Sequence, residues 1–155
     1  MRKGIADIHR RAQVSLAANQ RYLDALSVVG ESLPVRQVLD RLAQPVVHIG
    51  RPCRPLHAIE PADASLLSAI SRGEFLLNGF RNRDLQELLH PSAMEDPVAR
   101  KKISSRLSRQ LRLLRAHGLI FRVRGTTLYR LTKRGLTVTA AVSKIRECDL
   151  LTLAA

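Results

Sequence analysis

From Pro97 to Arg146 the chain contains no Asp or Glu, and Arg100–Arg134 alone carries twelve Lys and Arg. A segment this one-signed can fold only with its cations in water or against an anion, because an unpaired buried charge is far too costly. Its apolar residues therefore decide which side faces a core. The stretch PVARKKISSRLSRQLRLLRAHGLIFRVRGTTLYRLTKR predicts one helix, a glycine stop at Gly118, a two-stranded ribbon, and the start of another helix. Ile103, Leu107, Leu111 and Leu114 recur at helical spacing and form one stripe. At about 100° per residue, Lys101, Lys102, Ser105, Arg109 and Arg112 fall on the opposite face, with Arg106 and Ser108 flanking it. Pro97 suits a first helical turn and Gly118 the left-handed position just past a helix end. Solvated helix faces usually mix both signs for i,i+4 support. A face with no balancing acid is better matched to phosphates and guanine edges.

The whole chain of 155 residues has a formal net charge of +13, which points to an anionic partner. Aromatics make up only 3% of it, with no Trp. That speaks against a stacking platform for single strands and against an aromatic RNA-binding sheet. No apolar run approaches the roughly 20 residues of a membrane span, so no membrane partner is expected. The start, MRKGIADIHRR, lacks the apolar core of a signal peptide. Two cysteines, Cys53 and Cys148, do not make a disulfide framework, and a reduced, cytoplasmic setting follows.

Three segments are expected: an N-terminal helical segment over 1–44, a Pro-rich connector over 45–60, and a domain over 61–155. Residues 4–28 read as an amphipathic helix. Ile5, Ile8, Ala12, Leu16, Leu23 and Leu26 form its stripe, Asn19 interrupts it, Arg10, Arg11 and Arg21 face mostly away, and Gly30 ends it. Its stripe must be covered by the remaining domain, by a second copy in a homodimer, or by another partner. Ser32 is placed as the cap of a short helix near Pro34–Leu42. Pro45, Pro52, Pro55 and Pro61 then preclude a helix, leaving an extended connector with a short strand at Val46–Ile49. His48, Cys53 and His57 there, with Cys148, raise the question of zinc, but their spacing matches no zinc signature, so no metal is expected. Pro61–Ser71 reads as a helix, GEFLLNGF as a short first strand, and Arg83–Leu89 as a helix capped by Asn82. Leu119–Arg124 alternates with Ile120, Arg122 and Arg124 on one side and Leu119, Phe121 and Val123 on the other. Gly125-Thr126-Thr127 is the turn, and Thr132 caps a helix over Lys133–Glu147.

The string LRLLRAHGLIFRVRGTTLYRLTKRGL resembles the recognition-helix-to-wing segment of MarR- and ArsR-like regulators. Leu111 and Leu114, Gly118, Leu119 and Ile120, the Arg122–Arg130 hairpin, Thr132 and Gly135 follow in the family's order, and the likeness covers about residues 61–147. It implies a mainly α fold with a small β-ribbon: a winged helix-turn-helix preceded by an N-terminal helical appendage. The wing is shorter than in MarR-like proteins, which implies shallow insertion. RGEFLLNGFRNRDL with QLRLLRAHGLI also resembles the C-terminal region of a family of larger bacterial proteins without an established activity. That likeness implies that the chain is the nucleic-acid-binding end of something bigger.

The resulting expectation is a protein of double-stranded DNA, a transcriptional regulator or part of one, with a basic helix in the major groove. Lys101, Lys102, Ser105, Arg109 and Arg112 would make the main contacts, with Arg106 and Ser108 secondary. Arg122, Arg124 and Thr126 on the ribbon would touch flanking backbone, and Asn82 and Arg83 would hold a phosphate at a helix N-terminus. The rival reading is a protein or RNA docking module on the same scaffold, with the N-terminal helix as its working surface. An enzyme is not expected. No phosphate loop occurs, no serine–histidine or cysteine–histidine pairing is identifiable, and Asp84, Glu87, Glu95 and Asp96 read as ordinary surface charge.

Overall fold

A computed structural model describes residues 5–27 and 34–147. Its elements, in chain order, are α1 (Ile5–Ser27), α2 (Val35–Leu42), β1 (Val46–His48), β2 (Arg51–Cys53), α3 (Pro61–Ile70), α4 (Gly73–Asn78), α5 (Asn82–Leu89), α6 (Pro97–Ala116), β3 (Ile120–Arg122), β4 (Tyr129–Leu131) and α7 (Lys133–Glu147). The chain is mainly helical, with two small antiparallel ribbons among the described residues. The expected Ser32 cap, the Gly30 stop, Cys148 and the final LLTLAA lie outside the described residues.

The core gathers residues from most elements. Leu42, Leu56, Leu66, Leu67, Ile70, Phe80, Leu85, Leu107, Leu111, Leu114 and Leu119 are all fully buried in one cluster. Each such side chain contributes about 1.5–3 kcal/mol relative to exposure. The stripe expected on α6 is the buried one, with Leu113 added against the first ribbon and Ile103 only half-buried. The helix ends at His117, and Gly118 follows at φ 70°. Thr132 caps α7 as expected, its hydroxyl oxygen accepting from the Gly135 N–H at 3.0 Å.

Four local expectations are corrected. The expected short strand is present as β1, but the Pro-rich stretch is no plain connector: β2 returns on β1 in a hairpin pairing Val46 with Cys53 and His48 with Arg51. Ile49 and Gly50 both take positive φ (50° and 68°), as a two-residue turn of the mirror-image type requires. Pro52 is tolerated because a two-stranded ribbon consists of edges. Cys53, Leu56 and Ala58 join the main core cluster.

GEFLLNGF is not a strand, since Gly73–Asn78 is helix α4. Only Phe80 pairs with a strand, exchanging two backbone hydrogen bonds with Tyr129 at 2.9 and 2.8 Å. A short apolar run carries no periodicity that separates helix from strand. The two sides of β3 and its approach also differ from expectation. Leu119 and Ile120 are both buried, while Phe121 turns outward and is 47% exposed. Leu119 still belongs to the turn that enters the core, and strand alternation begins only where Ile120 meets Leu131.

Helix α1 packs on α4 and touches α7. Arg21, expected to face away, is half-buried on this docked side, and its Nε donates to the Leu77 carbonyl at 2.9 Å. Burial, and then the nearby Arg130, lower its pKa from the ordinary arginine value. Three residues of the expected stripe look the other way: Ile8, Leu16 and Leu23 are 63%, 74% and 57% exposed.

Candidate nucleic-acid interface

Helix α6 starts where Asp96 accepts from the Val98 N–H at 2.9 Å, with Pro97 in the first turn. Asp96, considered above only as surface charge, is its N-cap, which stabilises a helix start by about 1 kcal/mol. Burial of Leu107, Leu111 and Leu114 then fixes the rotation of the helix. Lys101, Lys102, Ser105, Arg106, Ser108, Arg109 and Arg112 are consequently all exposed. Among the described residues no ion pair involves any α6 cation: the five pairs present are Arg11–Asp7, Arg36–Asp40, Arg54–Asp63, Arg72–Glu74 and Arg83–Glu87. Apart from Ser108, whose hydroxyl meets α5, the polar contacts on this face stay within the helix. The Ser105 hydroxyl donates to the Lys101 carbonyl at 3.0 Å, and Arg109 Nε donates to the Ser105 carbonyl at 3.4 Å.

Asn82 does not cap α5. It is the first helical residue after Arg81, and the Asp84 carboxylate accepts from the Arg81 N–H at 2.7 Å. Its half-buried side chain instead faces α6, donating to the Ser104 carbonyl at 3.0 Å and the Ser108 hydroxyl at 2.8 Å. Gln86 Nε2 donates back to Asn82 Oδ1 at 2.6 Å. Asn82 therefore braces α5 against α6 and sets their relative position, and the oxygen of Ser108 is part of that brace. Arg83 is exposed and donates to the Glu87 carboxylate at 2.8 Å, and that hydrogen bond raises its pKa from the ordinary arginine value.

On the second ribbon, Arg122 Nε donates to the Thr126 carbonyl. The Thr126 hydroxyl donates to the Val123 carbonyl at 2.9 Å and accepts from the Leu128 N–H at 3.1 Å. Their hydrogen bonds build the turn and join the two residues to each other, and among the described residues none runs to the α6 set. Arg124 is exposed.

Of the zinc candidates, Cys53 is buried, His57 is exposed and His48 is half-buried. No group of three or more His, Cys, Asp or Glu is gathered among the described residues. Two of the other acids read as surface charge are engaged separately: Asp84 accepts from the Arg81 N–H and Glu87 from Arg83.

Sequence reasoning missed Arg54. Its guanidinium grips Asp63, whose side chain is only 1% exposed, through two hydrogen bonds of 2.7 and 2.8 Å. Burial pushes the Asp63 carboxyl up, but hydrogen bonds from Arg54 and from the His57 N–H outweigh it and hold the pKa below the usual carboxylate value. The same hydrogen bond raises Arg54. The Arg54 carbonyl also contacts Nε2 of buried His117, at the end of α6, at 3.0 Å. No periodic pattern links residues this far apart across a Pro-rich stretch.

No protein-family model, curated protein or solved structure matches the chain. No described helix is long and apolar enough to cross a membrane.

Proposed function

We propose that the chain is a double-stranded DNA-binding protein of winged helix-turn-helix type, with α6 in the major groove and the β3–β4 ribbon as a short wing. The observation that carries this reading is the exposed face of α6. Five cations, Lys101, Lys102, Arg106, Arg109 and Arg112, stand in solvent with no ion-pair partner among the described residues. Such a face gains by releasing counterions from a duplex. Helix α5, braced through Asn82 to the middle of α6, holds the position of the first helix of a helix-turn-helix pair. The resemblance to MarR- and ArsR-like regulators supports the same reading and makes the protein a transcriptional regulator, or the DNA-binding part of a larger bacterial protein.

The test is fluorescence anisotropy on a labelled random duplex of about 30 base pairs, roughly three turns. With five phosphates neutralised, log affinity falls against log salt with a slope of about −4 to −5. Arg109→Glu abolishes duplex binding at moderate salt while circular dichroism shows unchanged helicity. Unchanged binding by that variant refutes the placement of α6 in the groove.

The exposed stripe of α1 favours a second element. Ile8, Leu16 and Leu23 are covered either by a second copy, giving a homodimer that reads two half-sites about 34–36 Å apart, or by a different protein. In the latter case the chain is a docking module, and its partner binding survives removal of the α6 charges.

A further inference from the structure

We infer that the first ribbon is a second arm of the nucleic-acid interface, and that the cleft between β2 and α6 holds a backbone phosphate of the bound duplex. This rests on the DNA-binding reading above and adds to it a site that neither the α6 pattern nor the β3–β4 ribbon contains. The cleft has a volume of about 280 Å³ and is lined by Pro52, Cys53, Arg54, Arg109, Arg112 and their neighbours. One water takes about 30 Å³, so a phosphate group fits there with part of its hydration.

Three arginines border this cleft. Arg109 and Arg112 have no acidic partner among the described residues, and Arg54 is anchored from behind. Of the five N–H donors of an arginine, Arg54 commits three: two on Nη1, to the Pro55 carbonyl and Asp63, and one on Nη2, to Asp63. Nε–H and the second Nη2–H carry no hydrogen bond among the described residues, and the side chain is half-exposed. The Asp63 carboxylate thus acts as an orienting clamp. It fixes a planar fork that suits phosphate oxygens and lowers the ordering cost of binding. The cleft borders Arg109 and Arg112, so a strand lying on α6 reaches Arg54 without a detour.

The test places charge in the cleft without touching the Arg54–Asp63 pair. Pro52 is exposed on the ribbon and lines the cleft. Pro52→Glu weakens duplex binding about three- to tenfold relative to Pro52→Gln, and the difference shrinks as salt is added. Equal affinities for these two variants, with wild-type duplex binding intact, overturn the cleft proposal and leave the α6 reading standing. Absence of duplex binding by the wild type at low salt overturns the α6 reading itself. A second pair, Asp63→Asn against Arg54→Gln/Asp63→Asn, removes the Arg54 charge without stranding a buried carboxylate. With folding confirmed by thermal unfolding, the double variant has a salt slope shallower by about 0.9; equal slopes count against the proposal. Inorganic phosphate is titrated at constant ionic strength in parallel. Sub-millimolar saturation that the double variant loses, with duplex binding unchanged, assigns the cleft to a small free phosphate compound and overturns the backbone proposal.

Discussion

Replacing Gly135 by Ala is expected to destabilise the fold, although Ala is the better helix former by about 1 kcal/mol. Gly135 is buried, and a Cβ built on it lies 2.0 Å from the carbonyl oxygen of Leu119, 3.0 Å from its carbonyl carbon and 3.4 Å from its Cα. Non-bonded carbon contacts prefer about 3.5–4.0 Å, and the obstacle is backbone rather than a side-chain tip. The first turn of α7 must therefore move away from the entry to β3. That movement strains the junction. Leu119 O also accepts from the Thr132 N–H at 2.9 Å and the Thr132 hydroxyl at 3.2 Å, and that hydroxyl oxygen caps α7 through Gly135. Overpacking strain of about 1–3 kcal/mol and a weakened cap of about 1 kcal/mol outweigh the helix-propensity gain. The net loss is about 1–3 kcal/mol, or a drop in Tm of about 3–10 °C for a chain of this size. Thermal unfolding followed by circular dichroism reads it, with Lys133→Ala on the exposed first turn as a control expected to stay within about 0.5 kcal/mol. A Gly135→Ala protein that melts with the wild type or above it refutes the close-approach argument.

Acid titration reads the clamp on Arg54. The Asp63 pKa is lowered in the fold, so its stabilisation is fully present above the unfolded value of about 3.9 and is lost as pH falls through the lower folded value. At neutral pH Asp63→Asn should be less stable by about 1.5–3 kcal/mol, and the gap should close below about pH 4; a gap constant with pH rejects the ion-pair account. Ile49 holds φ 50°, a region that costs a β-branched residue roughly 1–2 kcal/mol. Ile49→Asn should therefore raise the urea midpoint by the equivalent of about 1 kcal/mol, and a lower midpoint rejects the turn geometry.

Long periodic segments were legible from sequence alone. The Leu107, Leu111 and Leu114 stripe, the stop at Gly118 and the Thr132 cap follow from helical spacing and local hydrogen-bonding chemistry, and these act within a few residues. What the sequence hid depends on distant partners. The run Phe75–Leu77 is too short for its period to distinguish helix from strand, and it is helical because it packs beneath α1 and against Phe80. Asn82 is equally fit to cap a helix or to brace one. Only the position of Ser104 and Ser108 decides for the brace. The Pro-rich stretch contains no Asn-Gly or Asp-Gly turn, so its hairpin, formed over an Ile-Gly pair, left no local mark. Arg54 stayed invisible for the same reason, since its role arises only once the hairpin returns it to α3 and α6. The exposure of the α6 cations was the part of the candidate site that sequence carried, because it depends only on the apolar stripe opposite.

The arrangement of that face also bears on how such a protein diversifies. Lys101, Lys102, Arg106 and Arg112 are exposed and make no ion pair within the described chain, whereas Asn82, Gln86 and Ser108 hold the scaffold together. Exposed positions free of structural duties usually tolerate substitution within about 0.5 kcal/mol. Fold and contact chemistry are thus assigned to separate residues of the same two helices. Lineages can change what this surface meets without first repairing the fold. A randomised library confined to those four positions would begin as a population of folded proteins, ready for selection against new targets.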